Sequence, residues 1–87
     1  MDTRVAVISI IVEREDAIEE LNNLLHEARQ YIIGRMGIPY RLKGISIISI
    51  AIDAPQDVIS TLSGKIGRLS GISTKTAYSN IITKAGE

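Results

Sequence analysis

The stretches Val5-Ala6-Val7-Ile8-Ser9-Ile10-Ile11-Val12 and Ile45-Ser46-Ile47-Ile48-Ser49-Ile50-Ala51-Ile52 decide the fold. They are near copies that lie forty positions apart, with a serine at the same place in each. β-Branched residues dominate both copies, and such residues favour strands over helices. The repeat therefore predicts two equivalent strands, one in each half of the chain.

Each of these strands is followed by a segment with helical periodicity. Apolar residues recur every three or four positions in residues 17–28 and again in residues 58–69, as expected of amphipathic helices. The two helices superimpose at an offset of 41, one residue more than the strands. Pro55 suits the first helical position of the second helix, and Gly71 suits a left-handed residue after its end.

Two further strands complete the predicted order β-α-β-β-α-β. They cover residues 31–38 and 72–82, and a turn-rich stretch at 37–44 should form a hairpin connection. This order predicts a single α+β domain over residues 1–87, a ferredoxin-like sandwich in which a four-stranded antiparallel sheet carries two helices on one face. We expect the first and third strands to lie parallel at the centre. The second and fourth strands should lie outside them, and the serine- and threonine-rich last strand suits an edge.

Strand alternation assigns the side chains of the two central strands to opposite faces of the sheet. The set expected against the helices is Ala6, Ile8, Ile10, Val12, Ser46, Ile48, Ile50 and Ile52. The opposite set is Val5, Val7, Ser9, Ile11, Ile45, Ile47, Ser49 and Ala51. Because this second face is also apolar, whereas the free face of a two-layer domain is normally polar, we predict that it forms the interface of a homo-oligomer, either a dimer or a tetramer.

Composition excludes several classes of function. The chain has no cysteine, so disulfides and thiolate metal sites are excluded. Its formal net charge is zero, which argues against direct binding of nucleic acid. The apolar runs are shorter than the roughly 20 residues that span a bilayer. We therefore expect a soluble, cytoplasmic protein with no membrane association.

The charges are distributed unevenly along the chain. Residues 1–28 contain seven acidic and two basic residues, whereas residues 29–50 contain four basic residues and no acidic one. The first helix is therefore acidic and the central segment basic.

The acidic residues Glu13, Asp53 and Asp57 could bind a cation or act in acid–base chemistry if they converged. Favourable electrostatics at helix starts and solubility also explain them, and we prefer that interpretation because no nucleophile accompanies the acids. His26 is the only histidine and is expected on the polar side of its helix. We predict no catalytic residues, no metal site and no cofactor, and hence a protein that is not an enzyme.

One segment is not explained by hydrophobic periodicity, the stretch Gly34-Arg35-Met36-Gly37-Ile38-Pro39-Tyr40-Arg41. Close backbone approach at the glycines together with positive charge could receive an anion or a carboxylate. The candidate ligand-binding residues are Gly34, Arg35, Met36, Gly37, Tyr40 and Arg41. Alternatively, the glycines shape bulges and a tight hairpin, and the arginines serve solubility.

Gly64 and Gly67 interrupt the second helix, where each costs up to about 1 kcal/mol relative to alanine. We expect a close packing contact to compensate for this cost.

The repeated layout, the second helix and the Gly71-Ile72 turn resemble ACT-domain regulatory modules and, more distantly, the ligand-binding domain of the nickel-responsive repressor. The glycine–arginine segment, Lys43-Gly44-Ile45-Ser46-Ile47-Ile48 and Leu62-Ser63-Gly64-Lys65-Ile66-Gly67-Arg68-Leu69 resemble more specifically a family of short stand-alone ACT-like proteins named as regulators of an iron-only hydrogenase system. The resemblance spans essentially the whole chain, and it implies an ACT-like fold and a regulatory role.

The sequence departs from these relatives at the positions that would carry their ligands. The ACT amino-acid site usually relies on a glycine-containing turn after the first strand, and here that turn reads Glu13-Arg14-Glu15-Asp16. The nickel repressor needs several histidine ligands and a cysteine ligand, whereas this sequence has one histidine and no cysteine. We therefore expect neither the usual ACT pocket nor nickel binding.

These observations favour a non-catalytic ACT-like oligomer that takes part in transcription regulation by sensing a small-molecule effector or docking a regulatory protein partner. The alternative is a purely structural or adaptor oligomer with no ligand.

Overall fold

Four strands and two helices follow one another in the predicted order. The strands are β1 (Asp2–Val12), β2 (Ile32–Tyr40), β3 (Ile45–Ala54) and β4 (Ile72–Lys84), and the helices are α1 (Ile18–Glu27) and α2 (Gln56–Gly67). The structure is a computed structural model that describes residues 2–84. Short 3-10 turns lie at Glu15–Ala17, Arg29–Tyr31 and Arg41–Lys43.

The strands form one sheet in the order β2-β3-β1-β4, and every neighbouring pair is antiparallel. This confirms the predicted fold class, with β1 and β3 at the centre and β2 and β4 at the edges. The expectation that β1 and β3 run parallel is wrong. The β1-α1-β2 crossover makes β1 parallel to β2, and the short hairpin reverses the chain into β3, so β3 is antiparallel to both.

The register of the two central strands places Ser9 directly opposite Ser49. These serines are also equivalent positions of the sequence repeat, since they lie forty residues apart. Ser9 and Ser49 are therefore both partners across the two strands and equivalent positions of the repeat. An approximate two-fold axis perpendicular to the sheet passes between the two serines and relates one half of the chain to the other.

The hydrophobic core lies between one face of the sheet and the two helices. Seven of the eight residues of the predicted helix-facing set are buried, with Ile8, Ile10, Ile50 and Ile52 all 0% exposed, whereas Ser46 is half-buried. The helices contribute a stripe of buried residues, Leu21 and Leu25 from α1 and Ile59, Leu62 and Ile66 from α2. Each such side chain stabilises the fold by roughly 1.5–3 kcal/mol relative to exposure. In the described part of the chain, no helix is both long and apolar enough to cross a membrane.

Several boundaries differ from the predicted ones. β2 continues to Tyr40, because Gly37 and Pro39 are tolerated on an edge strand. Pro55 precedes α2 rather than occupying its first position. α2 already ends at Gly67, although Gly71 does adopt the left-handed conformation, with φ of 75°.

The close contacts expected at the two helix glycines are not present among residues 2–84. A Cβ at Gly64 would lie 3.8 Å from Nη1 of Arg68, and one at Gly67 would lie 3.5 Å from Cγ2 of Thr74. Both are ordinary van der Waals distances. Neither position therefore requires glycine for packing inside one copy of the protein.

Candidate functional site

In the part of the chain that the structure describes, no helix packs on the second face of the sheet, which we call the open face. All eight residues of the predicted interface lie there, and Val5, Val7, Ile11 and Ile47 remain 39–42% exposed. The flanking strand β2 extends the apolar surface with Met36, Ile38 and Tyr40, which pair with Ser49, Ile47 and Ile45. The open face therefore continues across at least three strands. Its coverage by another subunit stays a prediction.

The six candidate ligand residues in 34–41 are divided between the two faces of the sheet. Met36 and Tyr40 lie on the open face, and Gly34 shares it because it pairs with Ala51. Arg35 and Gly37 lie on the helix side, opposite Ile50 and Ile48. Arg41 begins the turn that follows β2. The six residues therefore do not converge on one pocket within a single copy.

Arg35 is held by a helix residue. Its Nη2 donates a hydrogen bond of 2.7 Å to Oδ1 of Asn22 on α1, and both side chains are exposed. Arg35 thus links the edge strand β2 to α1. This contact gives Arg35 a structural role that the sequence pattern does not reveal.

Arg41 instead lines a cavity of about 480 Å³, which we call the end cavity. The cavity lies where β1 ends and β3 begins, and its residues are Val12, Glu15, Ile18, Pro39, Arg41, Gly44, Ile45 and Ser46. Within the described residues, Arg41 has no ion-pair partner. Its guanidinium therefore retains donors for an anionic ligand, while Glu15 supplies an acceptor in the same cavity.

Sequence reasoning did not identify Glu15 and Ser46 as residues of this cavity. The antiparallel register pairs Val12 with Ser46, and this pairing brings the turn after β1 to the start of β3. The parallel pairing of β1 and β3 that the sequence predicts would place the end of β1 beside the end of β3, and so would not bring these residues together. The signal was available in the short β2–β3 connection, which forces the direction of β3.

Glu13 and Asp53 lie at opposite ends of the sheet. Asp53 pairs with Val5, whereas Glu13 follows Val12, whose partner is Ser46. Eight residues separate the two levels along β1, which corresponds to about 27 Å at the rise of an antiparallel strand. The two carboxylates cannot face one cleft, so the proposed acid–base pair is not formed.

The remaining metal candidates are also dispersed. Asp57 lies in the first turn of α2, and His26 is exposed near the end of α1. Among residues 2–84, no three histidine, cysteine, aspartate or glutamate side chains come close enough together to hold a metal ion.

The turn after β1 is fastened to the turn before β4. The amide of Glu13 donates to the carbonyl oxygen of Gly71 at 2.7 Å. Arg14 crosses the same place, where Nη1 donates to Oγ of Ser70 at 3.1 Å and Nη2 pairs with Asp16 at 2.7 Å. An arginine side chain therefore fastens the turn after β1 to the turn before β4.

A groove lies between the two helices, which we call the inter-helix groove. It has a volume of about 250 Å³ and is lined by Leu24, Glu27, Ala28, Tyr31, Asp57, Val58, Thr61, Leu62 and Lys65. The end of α1 lies against α2 from Asp57 in its first turn to Lys65 in its last, and the two helices run antiparallel. Periodicity could not predict this groove, because its residues come from both halves of the chain.

Comparison with known protein families gives one match over most of the chain. Residues 4–76 match the family described as "TM1266-like: Iron-only hydrogenase system regulator, putative". Among curated proteins, none matches the sequence.

Solved structures include a relative of high similarity. The uncharacterized protein TM1266 from Thermotoga maritima is 36% identical, with a TM-score of 0.84 over 87% of this chain and 96% of that chain.

Two other structures share the fold at low identity. CPII, a nitrogen regulatory PII-like protein from Thiomonas intermedia K12 bound to ADP, AMP and bicarbonate, is 16% identical, with a TM-score of 0.54 over 93% of this chain and 96% of that chain. A formyltetrahydrofolate deformylase from Pseudomonas putida KT2440 is 14% identical, with a TM-score of 0.65 over 88% of this chain but only 29% of the deformylase.

Proposed function

Because the chain belongs to the TM1266-like iron-only hydrogenase system regulator family, we propose that it is a non-catalytic regulatory module. In this proposal the chain forms a homo-oligomer and senses a small anionic ligand, or docks a protein partner, in the regulation of an iron-only hydrogenase system. The absence of a convergent acid–base pair at Glu13 and Asp53 supports a role without catalysis.

Oligomerisation is proposed from the open face. Four strands about 4.8 Å apart and about eight residues long present roughly 500 Å² per copy, so two copies would bury at least about 1,000 Å². That area is at the lower limit for a specific interface. The face is apolar at Val7 and Ile11 and pairs serines at its centre, whereas Lys75 and Asp53 lie on it opposite Ser9 and Val5, so a second copy would have to pair these two charges or leave them in solvent.

The single observation that carries the ligand-sensing role is Arg41 in the end cavity. Its guanidinium is the one arginine group of residues 34–41 that has no partner within the described residues, since Arg35 bonds Asn22. Carboxylates and phosphates are the groups that guanidinium binds best. We therefore assign the ligand to the class of small molecules that carry one of these groups together with a hydrogen-bond donor for Glu15, whose carboxylate lines the same cavity.

A thermal-shift screen of metabolites that carry carboxylate or phosphate groups tests this assignment. We expect at least one compound to raise the unfolding temperature of the wild-type protein, since a ligand that binds only the folded state stabilises it. Arg41→Ala should abolish the shift, because it removes the proposed anion donor. Arg35→Ala is the matched control and should leave the shift intact.

The adaptor alternative is favoured by one feature, the separation of the six candidate residues onto two faces of the sheet. If no compound shifts the wild-type unfolding temperature, or if Arg41→Ala responds like the wild type, the ligand site at the end cavity is wrong. A structural or adaptor oligomer is then the function to retain.

A further inference from the structure

The turn between β2 and β3 exposes a leucine. Leu42 is 87% exposed, more than any other large apolar residue in the described part of the chain. It lies between Arg41 and Lys43 in the 3-10 turn. The left-handed residue Gly44 ends that turn. We call Arg41–Lys43 the hairpin tip. One exposed leucine is ordinary by itself, so its meaning depends on a complementary surface.

The inter-helix groove offers an apolar lining for Leu42 and carboxylates for the basic residues of the hairpin tip. Its floor is apolar, with Leu24, Val58 and Leu62, and its volume of about 250 Å³ exceeds the ~150 Å³ that holds a benzene-sized group. Two carboxylates line it, Glu27 and Asp57, and neither forms an ion pair within the described residues.

The tip of one copy cannot reach the groove of the same copy. Tyr31 lines the groove and immediately precedes β2, whereas the tip follows β2. Nine residues of strand place about 30 Å between these two ends. The occupant must therefore come from another chain.

We propose that the hairpin tip of one copy docks into the inter-helix groove of a second copy, with Leu42 in the apolar groove and Lys43 facing Glu27 and Asp57. Because tip and groove lie at opposite ends of a molecule 44 Å long, two antiparallel copies can exchange both contacts around one two-fold axis. Two contacts exchanged in this way give a closed dimer and do not extend into a filament.

The charge pattern of the sequence fits this pairing. The groove acid Glu27 belongs to the acidic residues 1–28, and the tip base belongs to the basic residues 29–50. Lys65 also lines the groove and would repel Lys43. It lies eight residues from Asp57 on α2, about 12 Å away along the helix axis. The tip is therefore placed at the acidic end of the groove.

Sedimentation equilibrium of the full chain tests the proposal. Leu42→Ser, Lys43→Glu and Asp57→Lys should each weaken self-association at least about tenfold, because each removes or reverses one side of the contact. Lys43→Glu combined with Asp57→Lys should restore association to within about threefold of the wild type, since the opposite charges are exchanged. Lys65→Glu should strengthen association.

Glu19→Lys is the matched control, because Glu19 is exposed on α1 and does not line the groove. It should leave association unchanged, and all variants should keep the wild-type circular dichroism spectrum. The proposal is overturned if Leu42→Ser and Lys43→Glu associate like the wild type, if the exchanged pair does not recover, or if the wild type stays monomeric at about 0.5 mM.

The same series in an Ile11→Glu background separates this contact from the proposed open-face interface. Dependence on Lys43 and Asp57 that persists in this background supports the tip-and-groove contact even if the open face proves to be free. If the Ile11→Glu background loses all association, the hairpin tip does not dock into the groove by itself. That result overturns the tip-and-groove contact.

Discussion

At the scale of single residues, two glycines adopt the left-handed conformation but differ in their surroundings. Gly44 has φ of 64° and would place a Cβ in open space, with nothing within 4 Å. Gly71 has φ of 75°, and its Cβ would lie 2.7 Å from Cδ and 2.8 Å from Cβ of Arg14, with Cγ of Arg14 closer still. Backbone strain is therefore similar at the two positions, while steric overlap is confined to Gly71.

Gly44→Ala should lower the free energy of unfolding by about 1–2 kcal/mol, the cost of a left-handed alanine. Gly71→Ala should cost roughly 1–3 kcal/mol more, because Arg14 must also move. Urea denaturation at one protein concentration measures both. In a double-mutant cycle, Arg14→Ala should recover part of the loss at Gly71 and none at Gly44; equal costs at the two glycines would contradict this account.

At the scale of elements, α2 contains a glycine that lowers the stability of the helix. Gly64 lies inside α2, and a Cβ there would meet only the flexible end of Arg68 at 3.8 Å. The glycine therefore weakens the helix without a compensating contact inside the chain.

Gly64→Ala should raise the free energy of unfolding by about 0.5–1 kcal/mol, because alanine loses less backbone entropy in a helix. Thermal denaturation should show an increase of a few degrees for a domain of this size. Ser63→Ala is the control at the neighbouring position. It also increases helix propensity, but it removes the 2.9 Å hydrogen bond between Oγ of Ser63 and Oγ1 of Thr76, so we expect no comparable gain in stability. A destabilised Gly64→Ala would indicate that another copy packs closely at this position.

Periodicity predicted the elements well but could not give the direction of the strands. The buried residues Ile8, Ile50 and Leu21 lie where the apolar spacing places them. Spacing is the same for a strand read in either direction, so the relation of β1 to β3 depends on the connections between elements. The short β2–β3 hairpin and the β1-α1-β2 crossover contain that information, and together they give the antiparallel pair.

The candidate site was less predictable than the fold. Arg41 was identified from its segment, whereas Glu15 and Ser46 join it through the register of β1 and β3. Arg35 was identified from the same segment, and its bond to Asn22 depends on the placement of α1 over the sheet. Cavities form between distant elements, and a local pattern does not encode their residues.

At the scale of the whole molecule, a single copy covers only one of the two faces of its sheet. The helices cover one face of the sheet, while the open face leaves Val5 and Ile11 each 42% exposed. Hydrophobic burial of this face is the largest favourable contribution that self-association could add to the stability of so small a domain.

Ile11→Glu should weaken self-association at micromolar concentration in sedimentation velocity and leave only the association made by the hairpin tip, because it would bury a carboxylate at the proposed open-face interface. Ser60→Glu adds the same charge on the exposed side of α2 and should leave the oligomer intact. A wild-type monomer at micromolar concentration, or an Ile11→Glu variant that associates as strongly as the wild type, would show that the open face does not bind a second copy.

Duplication of a half-length unit would produce the arrangement in which Ser9 faces its own counterpart, Ser49, across the sheet. A half-length chain with one strand, one helix and a second strand would build the same sheet as a symmetric pair of chains, and fusion would fix the pair in one polypeptide. The two halves of the present chain differ in that Leu42 and Lys43 follow β2 and that β4 is a serine- and threonine-rich edge strand. The ancestral β1-α1-β2 half, synthesised alone, is thus the natural starting point for reconstructing how this family arose.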